Sequence, residues 1–249
     1  MSYTLFISDI HLDLRWPHIT NAFKETLAGP ARQADALYIL GDLFETWIGD
    51  DDLNPFHRDI LQTLHEFTSS TGIPSYFMRG NRDFLIGKRF AKMTGLTLLS
   101  DPTVINLYGT QTILLHGDTL CIHDYKYQNF RRKTHHPLFK PTAYAIPLWL
   151  RRKVAAKMRA KSIDHFHVTD DALMDACPQE VKRVMQYHNV QQMIHGHTHR
   201  PHIHDNKRIV LGPWHEAAYL LYIEPTKPAR MEVLPYLTQP IVDHSQPLL

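Results

Sequence analysis

Short apolar runs recur along the chain and are separated by polar segments. Each run is rich in β-branched or aromatic side chains, a composition that predicts buried strands. Six runs stand out: YTLFIS at 3–8, ALYIL at 36–40, SYFM at 75–78, TILL at 112–115, VQQMI at 190–194 and RIVL at 208–211. The pattern therefore predicts a core built on strands.

Two segments between the early strands have helical periodicity instead. The first, residues 19–27, has apolar side chains along one face and ends at Gly29–Pro30, a pair that stops helices. The second, residues 54–68, begins with Asn54 as the predicted N-cap and Pro55 at the first helical position. Strands that alternate with helices predict an α/β fold with a sheet covered on both faces.

Side chains that commonly bind metals follow five of these strands directly. The motifs are SDIH, GD, GNRD, HGD and HGHTH, in chain order. Each alone has an ordinary explanation as a turn or a helix cap. Together they would lie at the carboxyl ends of the strands, where sites form in open α/β sheets. They supply seven candidate metal ligands: Asp9, His11, Asp42, Asn81, His116, His197 and His199.

This set of ligands suits two metal ions better than one. A carboxylate can bridge two cations, because its oxygens carry several lone pairs. Imidazoles combined with carboxylates and an amide favour Mn, Fe, Co or Zn over the all-oxygen cages of Mg or Ca. Two ions about 3.5–4 Å apart can clamp the oxygens of a phosphoryl displacement and activate a water molecule. The motifs therefore predict a phosphoesterase that needs no serine or cysteine nucleophile.

The order D-x-H, GD, GNxD, HGD and GHxH, over residues 9–199, resembles that of the calcineurin-like metallophosphoesterases. The resemblance implies a four-layer α/β/β/α sandwich. It implies a first metal held by Asp9, His11, Asp42 and His199. It implies a second metal held by the bridging Asp42 with Asn81, His116 and His197. Beside Asn81, the cation of Arg82 is suited to stabilise phosphate charge. The predicted catalytic residues are Asp42, Asn81, Arg82 and His116.

Longer blocks narrow the resemblance. LYILGDLFETWIGDDD, GNRDFLIGKRFA, LLHGDTLC and IHGHTHRP are similar to the UDP-2,3-diacylglucosamine diphosphatase family. That resemblance implies hydrolysis of UDP-2,3-diacylglucosamine to UMP and 2,3-diacylglucosamine 1-phosphate in lipid A biosynthesis. It implies two divalent ions, typically Mn²⁺, and water attack on the α-phosphorus. The predicted substrate-binding residues are Asn81, Arg82, Asp124, Arg159, Ser162, His195 and His197. After Ser162 the sequence departs from the family, so no further contacts are carried over.

Charge is distributed unevenly along the chain. Residues 125–163 contain eleven Lys and Arg and no Asp or Glu, whereas the remainder is acidic. A spacing of four would place several apolar side chains on one helix face among these cations: Ile146, Leu150, Val154 and Met158. A basic amphipathic helix suits an anionic membrane surface. The cations could equally hold the substrate's diphosphate, or form the solvated face of a helix packed on the body.

From this pattern we expect a single metallophosphoesterase domain, residues 1–249, with a helical lid at residues 125–170, called the insert below. No apolar run reaches the ~18–20 residues that span a bilayer, and no secretory signal is evident. Cys121 and Cys177 form no CxxC pair, as expected of a reduced cytosolic protein. We therefore expect a cytoplasmic protein, peripheral to the inner face of a bacterial inner membrane. Its expected partners are the lipid nucleotide and the anionic membrane surface.

Two other functions are compatible with parts of this pattern. A nuclease or nucleotide phosphodiesterase would use the same metal site, and the basic insert could bind a nucleic-acid backbone. The apolar residues among the cations favour lipid, so no nucleic-acid partner is expected. A scaffolding protein with a vestigial site is disfavoured by the full set of ligands. No obligate protein partner is inferred.

Overall fold

The computed structural model describes residues 2–168 and 175–236, without the side chains of residues 160–168. The described strands and helices follow in chain order: β1 Thr4–Ile7, α1 Pro17–Ala28, β2 Ala36–Leu40, α2 Pro55–Thr71, β3 Ser75–Met78, α3 Lys88–Thr94, β4 Thr97–Leu99, β5 Thr103–Leu107, β6 Thr110–Leu114, α4 Tyr125–Thr134, α5 Phe139–Ala145, α6 Leu148–Val168, α7 Pro178–Tyr187, β7 Gln192–His195, β8 His202–His204, β9 Arg208–Val210, β10 Ala217–Ile223 and β11 Arg230–Pro235. Short 3₁₀ turns lie at Pro30–Gln33 and Asp118–Leu120.

The strands form two sheets. The first has the order β11-β10-β1-β2-β3-β4, in which β1 to β4 are parallel. The second has the order β5-β6-β7-β9-β8, in which β6, β7 and β9 are parallel. The parallel strands place the ends of β1, β2 and β3 at one edge of the first sheet. The ends of β6 and β7 lie together at one edge of the second.

Alternating side chains divide the core into layers. In β1, Leu5 and Ile7 pack towards the helices on the outer face, whereas Phe6 lies between the two sheets. In β6, Leu114 joins that middle layer and Ile113 packs with residues of α7 on the opposite face. Burial of each such side chain is worth about 1.5–3 kcal/mol. The result is the α/β/β/α order of layers, as the resemblance implied.

The two predicted helices are confirmed, each slightly longer than its pattern. Helix α2 begins as expected, because the Asn54 side chain accepts a hydrogen bond of 2.8 Å from the backbone N–H of His57. Such an N-cap is worth about 1 kcal/mol. The helix ends at Gly72, whose φ of 66° is in the left-handed region that glycine adopts readily.

Five strands were missed by the sequence prediction: β4, β5, β8, β10 and β11. Two of them, β4 and β8, have only three residues each and take their strand form from pairing with β3 and β9. At the edge of the first sheet, β11 is largely exposed and lacks a continuous apolar run. The apolar stretch AAYLLYI of β10 was a readable signal that the prediction overlooked.

Within the insert the structure describes α4, α5 and α6, and residues 169 and 170 lie outside the described residues. The expected four-residue apolar face is partly wrong, because Ile146 lies at the C-cap of α5 and not in α6. The other three, Leu150, Val154 and Met158, lie in α6 and are 37–46% exposed. None of the described helices is long and apolar enough to cross a membrane.

Candidate metal centre

The seven predicted ligands lie together where the strands end. Asp9 and His11 follow β1, and Asp42 follows β2. The other four come after β3, β6 and β7: Asn81, His116, His197 and His199. Atoms of Asp9, His11 and His199 form one group within 4.8 Å, and atoms of Asp9, Asp42 and His116 form a second.

Asp42 faces both groups. Its Oδ2 lies 3.9 Å from His11 Nε2, and its Oδ1 lies 3.8 Å from His116 Nε2. On the first side, His11 Nε2 and His199 Nε2 are 3.4 Å apart. These separations are too long for strong hydrogen bonds but suit atoms that surround one cation. Asp42 therefore lies between the two groups, where a bridging ligand would be expected.

Asn81 connects the remaining two imidazoles. Its Oδ1 lies 2.9 Å from His116 Nε2 and 2.8 Å from His197 Nδ1. The backbone N–H of His197 donates to the Asp9 carboxylate at 3.0 Å, which ties the end of β7 to the end of β1. All seven side chains therefore belong to one cluster that spans both sheets.

The protonation of these histidines suits metal binding. Burial lowers the pKa of His11 to about 3 and that of His197 also to about 3, so both imidazoles are neutral and keep a free lone pair at neutral pH. Burial disfavours the charged form of His116 as well. The carboxylates of Asp42, Asp9 and Asp118 nevertheless raise the pKa of His116 to about 9. A cluster of buried carboxylates that attracts a proton this strongly also attracts a divalent cation.

The backbone at the ligands is unusual. Five of the seven have φ angles between 51° and 68°, in the left-handed region that residues with a Cβ rarely adopt: Asp9, His11, Asp42, His197 and His199. Such conformations cost of order 1–3 kcal/mol each and persist where the surrounding structure enforces them. They turn each side chain sharply off its strand towards the cluster.

Two glycines leave the space that the carboxylates occupy. A Cβ at Gly80 would lie 2.1 Å from Asp42 Oδ1, and a Cβ at Gly196 would lie 2.1 Å from Asp9 Oδ2. Any other residue would displace a predicted ligand. The glycines of the GN and GH motifs are therefore explained by the closeness of the two acids to the neighbouring backbone.

Neighbouring acceptors orient two ligands. The backbone carbonyl of Leu40 lies 2.9 Å from His116 Nδ1, and Glu45 Oε2 lies 2.9 Å from His11 Nδ1. Because the carbonyl accepts, His116 Nδ1 carries a proton, and its Nε2 is the atom directed at the cluster. Glu45 was not predicted. Its position three residues after Asp42 was the available signal.

A second unpredicted residue is His215. Its ring stacks on that of His11, with centroids 5.3 Å apart, and packs edge-on against His199 at 5.9 Å. Burial lowers the pKa of His215 to about 4, so its imidazole is neutral. The residue follows β9 in the GPWHE stretch. A sixth strand ending at the same edge could have pointed to it.

The predicted substrate contacts are placed less uniformly. Half-buried Arg82 donates its backbone N–H to Asp42 at 2.8 Å, beside the cluster. Asp124 caps α4, and Arg159 forms an ion pair with Glu45. His195 is fully buried, with Nδ1 2.9 Å from the Gly196 carbonyl, so it supports the floor of the cluster and does not line its surface.

One predicted contact, Ser162, has a side chain outside the described residues.

A family model for calcineurin-like phosphoesterases matches residues 3–201. The chain belongs to this family. The interval covers all seven predicted ligands, and the α/β/β/α layers agree with the fold expected for it. The family and the two groups of ligand atoms support a centre for divalent metals.

Several curated relatives of this phosphoesterase carry one name, UDP-2,3-diacylglucosamine hydrolase. The protein of Coxiella burnetii (strain RSA 331 / Henzerling II) is 50% identical over 228 residues, covering 89% of this chain and 93% of the relative. That of Enterobacter sp. (strain 638) is 49% identical, with 88% and 94% covered. That of Escherichia coli (strain SMS-3-5 / SECEC) is 50% identical, with 85% and 91% covered. The resemblance stated from the sequence blocks is confirmed.

Four arginines of the insert bind carboxylates of the phosphoesterase body. Arg131 Nε donates to Asp118 at 2.7 Å, and Arg151 Nη1 donates to Asp51 at 2.8 Å. The other two pairs are Arg152 with Asp52 and Arg159 with Glu45. These four cations hold the insert on the body, a role that the sequence pattern did not predict. Arg152 stays exposed in its pair, and five further cations are exposed among the described side chains: Lys126, Arg132, Lys133, Lys153 and Lys157.

Proposed function

We propose that this phosphoesterase hydrolyses the diphosphate bond of UDP-2,3-diacylglucosamine, releasing UMP and 2,3-diacylglucosamine 1-phosphate. The observation that carries the proposal is the complete cluster of seven ligands in a chain half identical to hydrolases of that name over about nine-tenths of its length. A lost ligand would have favoured a non-catalytic role. The same step fits a place in lipid A biosynthesis.

Two divalent cations fit the cluster. Asp9, His11 and His199 would hold the first, with Asp42 shared. Asn81, His116 and His197 would hold the second. When bound, the pair would act as a Lewis acid towards the phosphoryl oxygens and would lower the pKa of a water molecule, so that it can attack phosphorus as hydroxide. Imidazoles mixed with oxygen ligands suit Mn²⁺, which we propose as the natural metal, better than Mg²⁺.

The remaining groups of the site position the substrate. Arg82 lies next to Asn81, so its guanidinium is suited to neutralise the charge that develops on the attacked phosphate. The backbone N–H of Arg82 donates to the Asp42 carboxylate, so the residue proposed to bind phosphate also orients the proposed bridging ligand. Glu45, whose Oε2 lies 2.9 Å from His11 Nδ1, is suited to hold the His11 ring in place.

The insert supplies the features that a lipid substrate requires. Leu138, Trp149, Val154 and Met158 are 44–66% exposed on its helices, which is unusual for large apolar side chains in one segment. We propose that these residues receive acyl chains beside an anionic bilayer, with Lys153 and Lys157 facing the headgroups. The protein would then act peripherally at the inner face of the membrane. Asp124, Arg159 and Ser162 remain proposed contributors to substrate binding, and buried His195 would contribute only from beneath the cluster.

The decisive experiment measures UMP release from UDP-2,3-diacylglucosamine, with the purified protein stripped of metal and then supplied with Mn²⁺. We expect turnover that depends on Mn²⁺ and recovers more strongly than with Mg²⁺. Bis-p-nitrophenyl phosphate and single-stranded DNA serve as comparison substrates, and both should be hydrolysed far more slowly. Cleavage of DNA without cleavage of the lipid nucleotide would contradict the proposal and favour a nuclease.

A further inference from the structure

Two cavities flank α5 at the base of the insert. One has a volume of about 360 Å³ and the other about 580 Å³. Both are lined by Arg79, which follows β3, and by Lys140 of α5. None of the seven predicted metal ligands lines either cavity. The two cations therefore stand at the boundary between two open spaces that the hydrolytic site does not use.

Arg79 and Lys140 approach each other closely. Arg79 Nε and Lys140 Nζ each donate to the same backbone oxygen, that of Ile86, at 2.6 Å. Two like charges converge on one neutral acceptor and repel each other across it. Burial and the charge of Arg79 together lower the pKa of Lys140 to about 8, although Asp50 opposes the shift. Within the described part of the chain, no carboxylate forms an ion pair that would neutralise the charges of Arg79 and Lys140.

The nearby carboxylates are already engaged. Asp50, the nearest to Lys140, accepts the backbone N–H groups of Gly87 and Phe90, both at 3.0 Å, and also the Trp47 indole. The other two acids at the cavities bind arginines elsewhere: Asp51 pairs with Arg151, and Asp101 pairs with Arg131. No described carboxylate lies within ion-pair distance of Arg79 or Lys140.

The surroundings favour an anionic ligand with an apolar neighbour. Lys88 and Arg89 are exposed at the rim of the larger cavity and add positive charge. The smaller cavity has an apolar wall that includes Phe84, Leu99 and Pro137. Next to that wall, Leu138 is 66% exposed. A phosphate group would relieve the repulsion between the paired cations, and its substituent could rest on the apolar wall.

We propose that Arg79 and Lys140 form a second phosphate-binding site, separate from the metal centre. Its ligand carries a phosphate as a monoester or diester. Such a group is available from a small metabolite in solution or from the headgroup of an anionic phospholipid. Arg79 supplies a planar fork of N–H donors and Lys140 a compact ammonium group, the combination that proteins commonly use for phosphate. The site does not depend on the identity of the hydrolysed substrate.

The reactivity of Lys140 provides a local test. Metal-loaded protein is treated with an amine-acylating reagent near neutral pH, and the labelling rate at Lys140 is followed by mass spectrometry of peptides. Inorganic phosphate should slow this rate about tenfold relative to chloride of equal ionic strength. A bound anion that raises the pKa of Lys140 by one unit reduces the reactive neutral amine by that factor. Exposed Lys126 and Lys182 are internal references whose rates should not change.

Variants separate this site from the metal centre. In Arg79→Gln, Lys140 should label more slowly without phosphate, because the repelling charge is gone, and phosphate should have no further effect. Arg32→Gln, a remote arginine substitution, should behave as wild type. Arg79→Lys keeps the charge but loses the planar fork, and should give intermediate protection. Arg79→Lys keeps the test decisive if Arg79→Gln fails to fold.

Vesicles distinguish the two sources of phosphate. Protection of Lys140 by phosphatidylglycerol in phosphatidylcholine vesicles, but not by phosphatidylcholine alone and not in Arg79→Gln, assigns the site to a lipid headgroup. Protection by inorganic phosphate alone assigns it to a soluble metabolite. The proposal is overturned if neither inorganic phosphate nor the anionic vesicles slow the labelling of Lys140. It is also overturned if Arg79→Gln and Arg79→Lys are both protected as strongly as wild type.

Discussion

The metal centre and the insert are built by opposite means. Four of the seven predicted ligands are buried, all seven follow strands within a few residues, and five have left-handed backbone, so their positions depend largely on the local chain at the strand ends. The insert consists of regular helices with exposed apolar side chains, and arginines such as Arg151 attach it to carboxylates about a hundred residues away. Chemistry is thus encoded locally in this protein, whereas the placement of the segment above it is encoded by charge complementarity at long range.

The largest effect is expected from removing the bridge. Asp42→Ala should lower turnover by at least about 10³-fold, because loss of several kcal/mol of charge stabilisation corresponds to that factor. Bound metal, measured by elemental analysis, should also fall. Asp205→Asn, at an exposed acid whose φ is likewise positive, is the matched control and should retain activity. Near wild-type turnover in Asp42→Ala would rule out a bridging role.

The apolar side chains of the insert should govern attachment to membranes and leave the metal centre unaffected. Val154→Asp combined with Met158→Asp should reduce partitioning onto anionic vesicles by tenfold or more, since burial of each side chain is worth about 1.5–3 kcal/mol. Metal content should not change. The control pair Gln186→Asp and Asn189→Asp adds the same charge at the end of α7 and just beyond it. If both pairs reduce partitioning equally, net charge and not the apolar surface is responsible.

Detaching the insert should have a moderate effect on stability. Arg151 is 7% exposed and donates to Asp51 and to the carbonyl of Ile48 at 2.7 Å. Arg151→Ala should cost about 1–2 kcal/mol, a value reduced from that of a fully buried pair because Asp51 is partly exposed. Limited proteolysis should then cleave the insert faster. Lys153→Ala, at an exposed neighbour, should change neither quantity, and equal cleavage of both variants would argue against this anchor.

Lowering the pH is expected to have the smallest effect on the stability of the insert. The hydrogen bond from Arg151 lowers the pKa of Asp51 below its ordinary value. Stabilisation by this pair is therefore complete above about pH 4, the pKa in an unfolded chain, and is lost as the pH falls through the lowered value. It amounts to under about 1 kcal/mol. Proteolysis of the insert should accelerate over that acid range, and Asp51→Asn should accelerate it at neutral pH while flattening the dependence on pH.

The ligands of the metal centre could be predicted because each lies within a few residues of a strand end. The strand periodicity predicts β1, β2, β3, β6 and β7, and the residue types that follow them are those that bind metals. Short and edge strands such as β4 and β11 could not be predicted, because pairing with a neighbouring strand decides their structure more than their own sequence does.

The surroundings of the ligands were harder to predict. Glu45 and His215 lie beside His11 on different loops, and their positions after β2 and β9 do not by themselves show that they contact it. In the insert, periodicity suggested one continuous face, but Pro147 separates Ile146 from α6. The docking of arginines on Asp51 and Asp52 required knowledge of which loops the fold brings together. Contacts between distant segments are the part that sequence patterns leave open.

The left-handed backbone at the ligands also bears on how such a chain can change over evolution. Glycine adopts that conformation without the cost of roughly 1 kcal/mol or more that other residues bear. At His197, for example, a change to glycine would relax the backbone while it removes a ligand. A gene copy released from selection for catalysis would therefore gain stability by losing its ligands one at a time. At the five left-handed positions, stability and metal binding therefore favour different residues.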